Sequence, residues 1–163
     1  MRCEPRGAMA ARSAHRRATA HYMQLFLVRR SQWPIRSWGP PDICRPGPVG
    51  FCWNNARSVV AVEPDRLAYV EGAVNRDGWE QHAWAIDRST GSVEEVTSGY
   101  EQSTRYRGLV LDVVKVDAWW GPERRARWNG PAPSAVWTAL YEFYEGRMKS
   151  AELNRTLRYL LAK

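Results

Sequence analysis

The fold is decided by three consecutive pieces of the chain: GFCWNNARSVVAV over residues 50–62, LAYVEGAV over 67–74 and WEQHAWAID over 79–87. In the first, Ala56, Val59 and Val60 share one helical face with the Cys52 side, which predicts a helix over Cys52 to Val62. Glu63-Pro64-Asp65 ends it, because a residue before proline is pushed out of the α region. Leu67 to Val74 alternates as a strand does, and Asn75-Arg76-Asp77-Gly78 is a turn closing on Asp-Gly. Trp79 to Asp87 is the second strand, Arg88-Ser89-Thr90-Gly91 turns it back, and Val93 to Thr97 is the third. The β-branched run GLVLDVVKV, Gly108 to Val116, predicts a central strand. The expected class is α+β, a cysteine-bearing helix packed on an antiparallel β-meander, with its core over residues 50–116.

Working outward, Trp119 to Pro133 reads as irregular, with WWGP and WNGPAP in it. Ser134 can cap a helix to about Tyr144, with Trp137, Leu140, Tyr141 and Tyr144 on one stripe. Ser150 can cap another that carries Leu153, Leu157, Leu160 and Leu161. These two C-terminal helices, within 134–162, read as packing elements. On the other side, residues 39–50 (GPPDICRPGPVG) hold four prolines and three glycines, which exclude helix and central strand, and read as a linker or an extended entry to the domain. Residues 1–38 are rich in Arg and Ala and are expected to be a disordered leader. Their composition fits an organellar transit peptide, an extension upstream of a start at Met23, or a basic arm. Residues 39–163 are then one α+β domain.

The chain has 163 residues and a formal net charge of +7. Nine Arg against Glu4 and Asp42 place all of that excess in residues 1–50, while residues 51–163 are neutral. The balance therefore speaks against nucleic acid as a partner except through the basic leader. Cys3, Cys44 and Cys52 make no even disulfide framework, no secretory leader stands out, and the apolar run Met23 to Val28 is too short for a membrane span. A cytoplasmic protein with free thiols and no membrane association is expected. No metal and no cofactor are expected: Cys44 and Cys52 lie outside zinc-ligand spacing, and Gly47-Pro48-Val49-Gly50 lacks the Lys-Ser or Lys-Thr of a phosphate loop.

The residues able to carry chemistry are Cys52, His82 and Glu95. A cysteine at a helix start meets free backbone N–H groups and the positive end of the helix dipole, which favour thiolate and offer donors to an oxyanion. The same position fits a small buried apolar residue, the usual state of a free cysteine. His82 lies on the second strand, and a base needs a third group on its far nitrogen. If Asp87 pairs with Ser92, strand alternation puts Glu95 and Thr97 on the face of His82 and turns Glu94 away. A one-residue slip would exchange the two acids. Cysteine at a helix start, histidine on a strand and acid on the next strand follow the chain order of papain-like sites.

At these residues the chain resembles a family of small bacterial and phage proteins. The shared pattern is G-x-C-x-x-N-A (Gly50 to Ala56), Y-x-E-G (Tyr69 to Gly72), H-[AS]-W (His82 to Trp84), [DE]-x-T (Glu95 to Thr97) and Y-x-G (Tyr106 to Gly108). Leu109-Val110 departs from the family's usual Val followed by Pro or Ala, and residues 1–49 have no counterpart in it. The resemblance implies a papain-like core, similar to NlpC and transglutaminase domains, with Cys52, His82 and Glu95 in the triad positions. Asn55, Glu71, Trp84 and Tyr106 are the candidate substrate-binding residues, each with a structural role as the alternative. The expected function is a cysteine-dependent acyl transferase or amide hydrolase acting on a peptide or small amide. The alternative is a non-catalytic protein-binding module on the same fold.

Overall fold

A computed structural model describes residues 6–28, 31–128 and 133–162. The helix α1 spans Arg6–Leu27, followed by strands β1 (Arg36–Trp38) and β2 (Ile43–Gly47) and helix α2 (Cys52–Val62). Strands β3 (Leu67–Asn75), β4 (Trp79–Asp87), β5 (Val93–Thr97) and β6 (Arg105–Leu111) come next. Helices α3 (Val113–Arg127), α4 (Ala135–Tyr144) and α5 (Ser150–Leu160) complete the chain. The protein is α+β, with a six-stranded mixed sheet in the order β1-β6-β3-β4-β5-β2.

The sheet departs from the expected meander. β6 lies on the far side of β3 instead of beside β5. Gly72 and Gly108 face each other in that pairing, and their backbones approach so closely that a Cβ on Gly72 would sit 2.0 Å from the Arg107 carbonyl oxygen. A Cβ on Gly108 would meet the Trp84 ring at 2.7 Å. Bare backbone at both positions therefore permits this crossover. The strand expected over residues 108–116 stops at Leu111 for a local reason. The Asp112 side chain accepts from the N–H groups of Val114 and Lys115 and starts α3, so the cap prevails over the β-branched run that follows it. The stretch expected to be irregular is largely α3, which kinks at Gly121 (φ 43°) ahead of Pro122.

Residues 39–50 take the extended-entry alternative over the linker, and the leader reading changes. Ile43–Gly47 pairs in parallel with β5, and Pro46 is tolerated there because β2 is an edge strand. Residues 6–27 are a helix, not a disordered arm: Ala14, Ala18, Tyr22, Leu25 and Phe26 form a buried stripe at helical spacing. The Tyr22 hydroxyl donates to the Gly72 carbonyl at 2.9 Å. Arg12, Arg16 and Arg17 remain on the exposed side, while Cys3 lies outside the described residues.

Strand alternation divides the interior in two. Tyr69, Ala73, Ala83, Ala85, Leu109 and Leu111 pack against the helices, including Ala56 and Val60 of α2. Val70, Val74, Trp84, Ile86, Val93 and Tyr106 form a second cluster on the opposite parity. Ser134 caps α4 by accepting from the Trp137 N–H at 3.0 Å. Ser150 does not cap α5, whose N-cap is Lys149. Among the described residues, no helix is long and apolar enough to cross a membrane.

Candidate active site

The β4–β5 hairpin sets the site. The N–H of Asp87 donates to the Ser92 carbonyl at 3.0 Å, and Ile86 and Ala85 pair with Val93 and Glu94. Antiparallel geometry makes Ala83 and Val96 the next pair to exchange backbone hydrogen bonds. That exchange does not occur. The Val96 and Thr97 N–H groups both donate at 2.9 Å to Oε1 of Glu95, which curls back onto its own strand. The Ala83 and Trp53 N–H groups both act to lower the Cys52 thiol, so the cysteine at the start of α2 lies against the stretch of β4 that β5 leaves.

Glu95 shares the His82 face, as strand parity requires. His82 Nε2 lies 3.1 and 3.0 Å from the two Glu95 oxygens, and the Tyr106 hydroxyl donates to Oε2 at 2.8 Å. Glu94 points the other way, to Arg66 at 2.8 Å and Arg45 at 3.0 Å. A carboxylate on Nε2 assigns the ring proton to that nitrogen and leaves a lone pair on Nδ1. Nδ1 is buried and has no hydrogen-bond partner. No hydrogen bond therefore joins thiol and imidazole, although Cys52 lies against the backbone of Ala83, the residue next to His82.

Burial outweighs the helix start in setting the state of Cys52. The side chain is 4% exposed, and desolvation pushes the thiol up to about 12, with Glu95 and Glu71 adding to the rise. The N–H groups of Ala83 and Trp53 oppose this without cancelling it. The expectation of a thiolate is corrected on that ground: the resting group is a thiol.

The four expected substrate contacts hold other positions. Asn55 donates to the Pro48 carbonyl at 2.9 Å and to the Thr97 hydroxyl at 3.1 Å, tying the loop before α2 to β5. Glu71 is fully buried and accepts from the Tyr69 hydroxyl at 2.7 Å, the Ser134 hydroxyl, and the N–H groups of Ala135 and Val136 at 2.9 and 3.0 Å. With all its lone-pair directions taken it anchors the start of α4 and has none left for a substrate. Trp84 is buried under the sheet, with its ring 5.0 Å from that of Tyr106. Tyr106 holds Glu95.

Sequence reasoning passed over Tyr100. Its ring stacks on His82 at 3.8 Å and 20°, its hydroxyl donates to Glu80 at 3.3 Å, and the Arg76 guanidinium sits 5.0 Å from its centroid. It comes from a turn with Gly99 at φ 93°, and only the Ser98-Gly99 pair marked that turn in the sequence. Beside the site lies a cavity of about 450 Å³, lined by Trp53, Gln81, Thr19, His15, Trp128 and Trp137 among others. Trp53 and Gln81 are the chain neighbours of Cys52 and His82. The chain matches no family model, no curated protein and no solved structure.

Proposed function

We propose that this chain is a cysteine-dependent acyl-transfer enzyme acting on an amide or a related bond, built on a papain-like core. Cys52 is the nucleophile, His82 the base and Glu95 the group that orients the imidazole. The reading rests on one observation: an imidazole held through Nε2 by a buried carboxylate, with Nδ1 unpartnered, beside a cysteine at a helix start. A base needs that combination of a fixed tautomer and a free lone pair.

Because the resting sulfur carries its proton, attack is coupled to proton transfer. Cys52 Sγ bonds to the carbonyl carbon as its proton passes to His82 Nδ1. The C–N bond then breaks while Nδ1 returns the proton to the departing amine. Water or a second amine, deprotonated by the same nitrogen, resolves the thioester. The mechanism requires Sγ to reach Nδ1 when substrate binds, and catalytic hydrogen bonds are commonly loose before that.

The test is acylation by p-nitrophenyl acetate, followed as a nitrophenol burst and by mass spectrometry of Cys52. The burst should vanish in Cys52→Ala and slow by about 100-fold or more in His82→Ala. Equal acylation of His82→Ala and the unaltered chain would remove the base from the mechanism.

A second reading, a non-catalytic protein-binding module, is favoured by burial, since His82 is 0% and Cys52 4% exposed. In that case Cys52 is a core residue and the His82–Glu95–Tyr106 network specifies packing. Absence of any acylation at Cys52 is its signature.

A further inference from the structure

Glu95 collects donors on both of its oxygens. Oε1 accepts from the Val96 and Thr97 N–H groups, each at 2.9 Å. Oε2 accepts from the Tyr106 hydroxyl at 2.8 Å, and His82 Nε2 lies 3.0 Å from Oε2 and 3.1 Å from Oε1. These four donors meet a carboxylate with about four lone-pair sites, a set that favours the ionised form. Val96 and Thr97 are the next residues in the chain, whereas Tyr106 comes from β6, with β3 and β4 between it and the strand of Glu95. Its side chain is fully buried, with the ring 5.0 Å from that of Trp84. A second acceptor for its hydroxyl, the Tyr100 carbonyl, is farther away at 3.4 Å. Burial and the charge of Glu95 hold the phenol above its usual range, so it stays a donor.

The oxygen that Tyr106 touches is the one nearer Nε2. When Nδ1 takes the sulfur proton, the imidazole carries two protons, and the one on Nε2 has a path along its hydrogen bond to Oε2. Oε2 would then be the hydroxyl of a neutral acid, and the phenol would exchange a charge-assisted contact for a weaker one. The two backbone N–H groups would keep a carbonyl oxygen at Oε1. Tyr106 is therefore the donor that opposes the transfer most directly. We infer that Tyr106 is a positioning residue of the same site, whose hydroxyl keeps Glu95 ionised and the Nε2 proton on the imidazole while Nδ1 takes and returns the proton of acyl transfer. The inference rests on Cys52 being the nucleophile and His82 the base. In the attack step the Sγ–C bond forms, the carbonyl π pair moves to oxygen and the sulfur proton goes to Nδ1. Glu95 gains no proton at any step.

Tyr106→Phe removes the hydroxyl and keeps the ring. The hydroxyl stabilises neutral His82 with ionised Glu95 more than the protonated pair, so without it the pair holds a proton to higher pH. The acid limb of the nitrophenyl ester burst should move up by about one pH unit. Nitrogen-15 spectra of the imidazole at the acid end should show the Nε2 proton moved downfield and its one-bond coupling reduced, as it comes to be shared with Glu95. With 3-fluorotyrosine at position 106, a stronger donor of nearly the same shape, the limb should move the other way. The other titratable groups around the pair stay the same in both altered proteins: Cys52 from α2 with Glu71 behind it, Cys44 beside Glu95 on β2, and Tyr100 backed by Glu80 and Arg76. Shifts of opposite sign in the two proteins would establish the role, and the fluorotyrosine protein decides alone if Tyr106→Phe does not fold. A limb unmoved within about 0.2 pH unit, with Cys52 still acylated, would overturn it and leave the enzyme reading standing. No acylation of Cys52 in the unaltered chain would remove the enzyme reading and this role together.

Discussion

Replacing Glu95 by glutamine isolates the role of the carboxylate because it keeps the size of the side chain. Oε1 faces two backbone N–H groups at 2.9 Å, so the amide oxygen belongs there. The amide nitrogen then takes the place of Oε2, facing the Tyr106 hydroxyl at 2.8 Å and His82 Nε2 at 3.0 Å. Tyr106 can turn its hydroxyl and accept. His82 Nε2 then faces the amide nitrogen at 3.0 Å and the amide oxygen at 3.1 Å; pairing with the nitrogen, the shorter contact, moves the ring proton to Nδ1 and removes the lone pair that serves as base. Where a triad loses its orienting carboxylate in this way, the rate falls by about 10⁴. The four contacts to the carboxylate, from Val96, Thr97, Tyr106 and His82, also lose its charge, a stability loss of about 1–3 kcal/mol. Nitrogen-15 correlation spectra of the imidazole read the tautomer directly, and the nitrophenyl ester burst reads the rate. A variant that keeps its proton on Nε2 and acylates within a factor of about two of the unaltered chain would refute the reasoning.

Three further outcomes follow from the geometry. Gly72→Ala puts a methyl group 2.0 Å from the Arg107 carbonyl oxygen and should cost more than about 3 kcal/mol in urea unfolding; a loss below about 1 kcal/mol would contradict the close approach of β3 and β6. Tyr100→Ala uncovers the face of His82 on which the phenol ring stacks at 3.8 Å; proton exchange at the imidazole C2 should speed up by about tenfold, and an unchanged rate would mean that Tyr100 does not shield the ring. The Cys52 thiol is raised from 9.0 to about 12 in the folded chain, so the unfolded chain loses that proton first and stability falls as pH rises through this window. The contribution is fully present below the unfolded value, and its loss should reach about 1.4 kcal/mol per pH unit at most. Urea midpoints of the unaltered chain and Cys52→Ala should therefore converge between those pH values, and divergence would reverse the sign of the argument.

The parts of the site that could be read from sequence are those set by local period. Helix α2 follows from its apolar spacing, and the choice of Glu95 over Glu94 follows from strand alternation once Asp87 and Ser92 are paired. What escaped depends on distant partners. Glu71 looks like a surface carboxylate until Ser134, Ala135 and Val136 arrive from 63 to 65 positions away. The place of β6 beside β3 turns on two glycines facing each other across strands, a relation no single segment displays. Helix α1 had a local signal that went unused: Ala14, Ala18, Tyr22, Leu25 and Phe26 form a stripe, and the surrounding arginines obscured it. Asp112 likewise stood in the sequence as a cap, behind a run of valines that favours strand.

The sheet places Cys52 and His82 on opposite sides, the helix face and the face of Trp84 and Tyr106. The Cys52 sulfur comes to the backbone beside His82 where β5 leaves β4 after Glu94. Glu95 brings this about by taking the N–H groups of Val96 and Thr97, which frees the Ala83 N–H for the sulfur. One carboxylate therefore performs two tasks, orienting the imidazole and holding the strands apart. An apolar replacement would act differently from glutamine. With no acceptor on the side chain, the Val96 N–H is left to the Ala83 carbonyl and the Ala83 N–H to Val96, so the ladder can close and displace Cys52. Glutamine tests the tautomer with the gap intact, whereas Glu95→Val tests whether the gap itself depends on the carboxylate.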